Sequence, residues 1–125
     1  MQDKLVLSPL PKTWILDIDG TIVKHNGYKI DGIDSFLDGA EEFLKSIPEE
    51  VFIIFVTSRG EEYAEITESF LRNNGIRFNS IIYGVPYGER ILINDNKPSG
   101  LKMAYSISGT RDSFPNLNIC IDESI

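Results

Sequence analysis

The sequence predicts a doubly wound, Rossmann-like α/β fold, a parallel sheet in a three-layer α/β/α arrangement, on three observations. Strongly apolar runs at Thr13 to Ile18, Val51 to Val56 and Ile91 to Ile93 are bounded by polar or turn residues and lack polar/apolar alternation, the pattern of strands buried on both faces. Between them lie apolar residues at helical spacing, so strands alternate with helices and right-handed crossovers follow. The runs also end in polar tips, and in such folds ligands sit beyond the carboxyl ends of the strands.

Each element has a local reason. Ala40, Phe43, Leu44 and Ile47 predict a helix with Asp38 as N-cap, Glu41 at the third helical position and Pro48 as its stop. Tyr63, Ile66, Phe70 and Leu71 mark the inner face of a second helix. Its outer face carries Glu61, Glu65, Glu68 and Arg72, and Asn73-Asn74-Gly75 ends it. Weaker strands are expected at Ser80 to Tyr83 and Leu117 to Ile121, and a third helix is expected to open at Pro98 and bury Leu101, Ala104 and Tyr105. Pro9-Leu10-Pro11 reads as an extended lead-in. No repeat or low-complexity tract divides the 125 residues, so one continuous domain, 1–125, is expected.

Composition narrows the function. A net charge of −7 argues against a nucleic-acid or anionic-membrane partner. The single cysteine, Cys120, supports neither an internal disulfide nor a zinc site. No apolar run approaches the ~20 residues of a membrane span, and the start, Met1-Gln2-Asp3-Lys4, leads into no signal-peptide pattern. A cytoplasmic location is the expectation.

Chemistry is expected at three strand tips: Asp17-Ile18-Asp19-Gly20-Thr21, Thr57-Ser58-Arg59 and Asn94-Asp95-Asn96-Lys97. Period-two geometry puts Asp17 and Asp19 on one side of an extended chain, and Gly20 permits a sharp turn after them. Acids at the end of an apolar strand repel one another and resist desolvation unless a cation or donors compensate. Few carboxylates without His or Cys suit Mg²⁺, which would offset the repulsion between an Asp nucleophile and a phosphate.

Asp17-Ile18-Asp19-Gly20-Thr21 resembles the DxDGT motif of haloacid dehalogenase superfamily phosphatases. Val51 to Thr57 resembles that family's second motif, a hydrophobic strand ending in Thr or Ser, and Ile91 to Asp95 its fourth, a strand ending in acid. The likeness spans about Thr13 to Ile107. It implies a magnesium-dependent phosphatase in which Asp17 is the nucleophile that forms an aspartyl-phosphate and Asp19 is the general acid and then the base. Asp17, the main-chain carbonyl of Asp19 and Asp95 would bind Mg²⁺, and Thr57 would hold the phosphoryl group. Where close relatives often carry Gly-Lys-Pro, this chain has Gly84-Val85-Pro86, so the third-motif cation is expected from Arg90 or Lys97, with Arg90 preferred because it precedes the fourth strand.

The gap between Ile22 and Asp38 holds only about a hairpin, with Asn26-Gly27 and Tyr28 expected as a mobile flap, and so there is no room for a cap. An open site implies a large phosphorylated substrate or a homo-oligomer that closes it, and compact uncapped relatives suggest a sugar phosphate or related metabolite. Beside these readings stand plainer ones: Asp95 as a helix cap, Thr57 as a strand end, Arg59 as either a substrate contact or a surface arginine, His25 as a solvated histidine and Trp14 as core. The alternative function is a catalytically weak member of the family that binds a phosphorylated ligand or a partner protein.

Overall fold

All strands pair in parallel, in two separate sheets. The computed structural model describes residues 3–125. Met1 and Gln2, where a leader was sought, lie outside the described residues. Strand β1 (Asp3–Leu7) pairs with β5 (Leu117–Ile121). Strands β2 (Thr13–Asp17), β3 (Phe52–Val56) and β4 (Ser80–Ile82) form the second sheet in that order. Helix α1 (Gly27–Ile30) and helix α2 (Ala40–Ser46) lie between β2 and β3. A 3₁₀ turn (Glu61–Tyr63) and helix α3 (Ala64–Asn73) lie between β3 and β4. The chain divides into two compact units: Pro11–Pro86 with Gly109–Phe114, and the N-terminal segment to Leu10 with Tyr87–Ser108 and Pro115–Ile125. This is a small α/β protein of Rossmann-like character.

In the first of these units, the strand order β2-β3-β4 advances in one direction, so successive right-handed crossovers deliver α2 and α3 to the same face of the sheet. Burial agrees. Leu16, Ile53 and Phe55 are buried with Ala40 and Leu44 of α2 and Leu71 of α3, and Trp14 meets Phe43 edge-on at 5.2 Å. Trp14 is therefore packed against the core. The opposite face keeps Ile15 53% and Phe52 45% exposed. Periodicity cannot distinguish such one-sided strands from buried ones when both faces are apolar.

Several local expectations hold in shifted form. The N-cap of α2 is Gly39, at φ 85°, in place of Asp38, and Ile47 turns extended before Pro48 as the proline requires. At the end of α3 the N–H of Gly75 donates to Arg72 O at 3.0 Å and that of Ile76 to Leu71 O at 2.9 Å. This is a Schellman closure, with Gly75 at φ 75° supplying the left-handed residue. Ile66, expected inside, is exposed, and Thr67 is buried instead, because its hydroxyl serves the polar cluster described below. The expected hairpin keeps an antiparallel bridge between Val23 and Phe36, but its tip is the one-turn helix α1, which follows Asn26 at φ 56°.

Two expectations fail. Ile91 to Ile93 forms no strand; Ile91 and Ile93 are almost wholly exposed. An apolar run has strand propensity, but a strand exists only through a ladder partner. The helix at Pro98 is also absent: Gly100, at φ 94°, donates to Lys97 O at 2.8 Å and turns the chain within two residues of the proline. Conversely, Asp3–Leu7, to which patterning assigned nothing, becomes β1 because β5 supplies its ladder. Among the described residues, no helix is long and apolar enough to cross a membrane.

Phe55 is fully buried at the centre of the middle strand. Phe55→Ala is expected to cost about 3–5 kcal/mol, read as a lower urea midpoint at unchanged slope. The Tyr83 hydroxyl donates to Glu68 Oε2 at 2.9 Å; burial first, then this bond, raises the phenol above its ordinary value. The protonated form is the one the folded chain favours. This contribution is therefore complete below pH ~10 and fades as pH rises beyond it. Tyr83 is expected to ionise last in an alkaline absorbance titration, and Tyr83→Phe to remove that final step.

Candidate active site at the ends of strands β2 and β3

The parallel register sets Asp17, the last residue of β2, opposite Val56, the last of β3, so the segments 18–21 and 57–59 leave the sheet at the same edge. Gly20, at φ 81°, makes the turn after the acids, and a Cβ there would lie 3.1 Å from Arg111 Cγ. The Ile18 carbonyl accepts from the N–H groups of Thr21, Ile22 and Val23 at 3.2, 3.0 and 3.2 Å. That tight turn returns the Thr21 hydroxyl to Asp17, where it donates to Oδ2 at 2.9 Å.

Thr57 is buried, and its Oγ1 accepts from the N–H of Arg59 at 3.0 Å, which shapes the loop leaving β3. Val85, standing where the resemblance expects lysine, donates its N–H to Thr57 O at 3.1 Å, and Gly84 donates to Arg59 O at 2.7 Å.

Arg59 dominates the electrostatics. Its side chain is 1% exposed, which corrects the surface alternative. Nε donates to Asp19 Oδ2 at 2.9 Å and Nη2 to Asp19 Oδ1 at 2.9 Å. Nη1 donates to Asp34 Oδ2 at 3.0 Å and Nη2 to Asp34 Oδ1 at 2.7 Å. Nη1 also donates to Thr67 Oγ1 at 2.9 Å, and that hydroxyl donates onward to Tyr63 O at 2.7 Å. The Tyr28 ring lies 3.9 Å from the guanidinium carbon and meets Tyr63 edge-on at 4.9 Å. Burial alone would weaken the hold of Arg59 on its proton, but the bonds and charges of Asp19 and Asp34 outweigh it and raise its pKa above the ordinary arginine value. Burial also raises the Tyr28 phenol, against the lowering influence of Lys29.

Of the residues singled out in the sequence, the structure brings Asp17, Asp19, Thr57 and Arg59 together in one unit. Arg90, Asp95 and Lys97 belong to the other unit, on an exposed stretch without regular structure. Asp95 does not close a strand, and Arg90 does not precede one, for the ladder reason given above. His25, read as solvated, is partly buried; its main-chain N–H donates to Asp112 Oδ1 at 2.7 Å, and its side-chain Nδ1 is buried without a hydrogen-bond partner.

Asp34 and Thr67 were missed, and Tyr28 was seen only as part of a flap. Asp34 lies in a Gly-Ile-Asp-Ser stretch with no periodic signal, and Thr67 sits in a helix where a buried threonine reads as surface. The signal that could have found them is chemical: an arginine directly after a buried strand needs carboxylate partners.

For a metal, the donor set is small. Both Asp19 carboxylate oxygens accept from Arg59, so Asp19 has its main-chain carbonyl to offer, as the resemblance implies. Asp17 stands partly exposed beside it. Among the described residues, no group of three or more His, Cys, Asp or Glu is placed to hold a metal. The oxygens of Asp17 and Asp19 suit Mg²⁺, which keeps several waters and takes few protein ligands.

No protein-family model, curated protein or solved structure matches the chain.

Removing the guanidinium leaves two carboxylates facing each other with their common partner gone. Arg59→Met is therefore expected to destabilise the chain by about 3–5 kcal/mol. Breaking the exposed Lys45 to Glu41 pair, 2.7 Å apart, with Lys45→Ala should cost less than about 1 kcal/mol. Urea unfolding of both variants checks the contrast.

Proposed function

We propose that the chain is a magnesium-dependent phosphomonoester hydrolase of the haloacid dehalogenase type, acting through an aspartyl-phosphate on Asp17. Its proposed substrate is a sugar phosphate or related phosphorylated metabolite. The observation that carries the reading is the meeting of Asp17, Asp19 and Thr57 where two adjacent parallel strands end, at the edge where such sheets bind ligands.

In the first step an Asp17 carboxylate oxygen attacks phosphorus. The bond to the leaving oxygen breaks as Asp19 protonates it, and the phosphoryl group passes to Asp17. In the second step Asp19 takes a proton from a water whose oxygen attacks phosphorus, and the Asp17 carboxylate departs with release of phosphate. Thr57 holds the phosphoryl group. Asp17 and the Asp19 carbonyl would hold Mg²⁺, which when bound offsets the charge repulsion between nucleophile and phosphate.

The reading includes an uncapped site, a cytoplasmic location and a homo-oligomer or large substrate closing the open site. The acidic balance of the chain supports a metabolite over a nucleic acid as its partner.

The test is phosphate release from p-nitrophenyl phosphate and a panel of sugar phosphates, with Mg²⁺ and with chelator. Asp17→Asn is expected to fall to the chelator background. Full metal-dependent turnover by Asp17→Asn overturns the reading. Binding of phosphorylated ligands by the wild type without any release favours the binding-protein alternative.

A further inference from the structure

An arginine beside a phosphate-handling site is ordinarily taken as a phosphate ligand. Its donors argue otherwise here. A guanidinium has five N–H groups in a fixed plane, and the five bonds to Asp19, Asp34 and Thr67 occupy every one. One cation is also flanked by two carboxylates, so the charge of Arg59 is offset within the cluster and offers a phosphoryl group little attraction. The Tyr28 ring, 3.9 Å from the guanidinium carbon, covers a face of the plane.

Asp34 shows what the arrangement accomplishes. Its side chain is 4% exposed, and each of its oxygens accepts from Arg59. If Arg59 served only to offset Asp19, a second buried acid would weaken that service. A second fork makes sense as an anchor that fixes the guanidinium plane, because a two-point fork defines orientation as well as distance.

We propose that Arg59 is the positioning residue of the site: it holds the plane of the Asp19 carboxylate through one fork while Asp34 and Thr67 hold Arg59 through the other edge. The role assigned to Asp19 rests on the phosphatase reading; the relay from Asp34 through Arg59 to Asp19 does not.

The first measurement is independent of turnover. In arginine-¹⁵N-labelled wild-type protein, the Nη–H groups of Arg59 are expected as separate resonances, because bonds on both nitrogens block rotation of the guanidinium. A single exchange-averaged signal overturns the proposal, whether or not the variants fold. The second measurement is the Asp19 ¹³Cγ resonance, identified by its loss in Asp19→Asn. Asp34→Asn, which alters no atom bonded to Asp19, is expected to move it, and an unmoved resonance overturns the relay.

The third measurement is steady-state release of phosphate from p-nitrophenyl phosphate. Arg59→Lys and Asp34→Asn are each expected to lower kcat about 10- to 100-fold with KM nearly unchanged. The double variant is expected to be no slower than Arg59→Lys alone, since both changes act on one relay. A raised KM in Arg59→Lys with an unaffected Asp34→Asn identifies a substrate ligand and overturns the proposal. Unchanged kcat in both folded variants leaves only a structural ion cluster and also overturns it. Absence of turnover in the wild type defeats the phosphatase reading alone, and the two resonance measurements still judge the relay.

Discussion

A buried guanidinium between two carboxylates is the constraint around which the β2–β4 unit is organised. Arg59 sits where desolvation of a lone charge would be prohibitive, and it is tolerated because Asp19 and Asp34 face it with complementary geometry. The three residues come from the turn after β2, the return of the following excursion and the loop after β3. One ion cluster thus ties together segments that share no regular structure. It also explains Thr67, a polar residue at an inner position of α3 whose hydroxyl accepts from Arg59 and donates to Tyr63.

The sheet supplies the other half of the arrangement. Parallel pairing of β2 with β3 brings two carboxyl ends to one edge, and the apolar core beneath them, Leu16, Ile53 and Phe55 among α2 and α3, fixes the two strands in register. Chemistry then needs only short turns. Gly20 bends the chain within hydrogen-bonding reach of its own strand end, and the loop of Thr57 and Arg59 folds back on itself by a single side-chain bond. Asp17 is left partly exposed beside the ion cluster in which Arg59 holds both Asp19 carboxylate oxygens.

The sequence made legible what depends on local pattern. The strands at β2 and β3, the two main helices, their stop signals and the pair Asp17 and Asp19 all follow from spacing and from turn chemistry. What depends on distant partners was not legible. Ile91 to Ile93 and Leu5 to Leu7 are both short apolar stretches, yet only the second finds a ladder. Arg59 stood in plain view with its burial undecided, because burial depends on Asp34, which carries no periodic signal of its own. The face of Ile15 and Phe52 reads as core in any window of sequence; the one-directional strand order leaves it open.

The pairing of β1 with β5 has a consequence for the order in which the molecule assembles. Leu5 lies opposite Ile119, so all the residues between them must be looped before that contact can form, and loop closure of this kind is slow to be rewarded. The β2–β4 unit joins strands through single helical crossovers and can condense while β5 is still being synthesised. Until β5 has been made, β1 has no ladder partner and its pairing edge stays open.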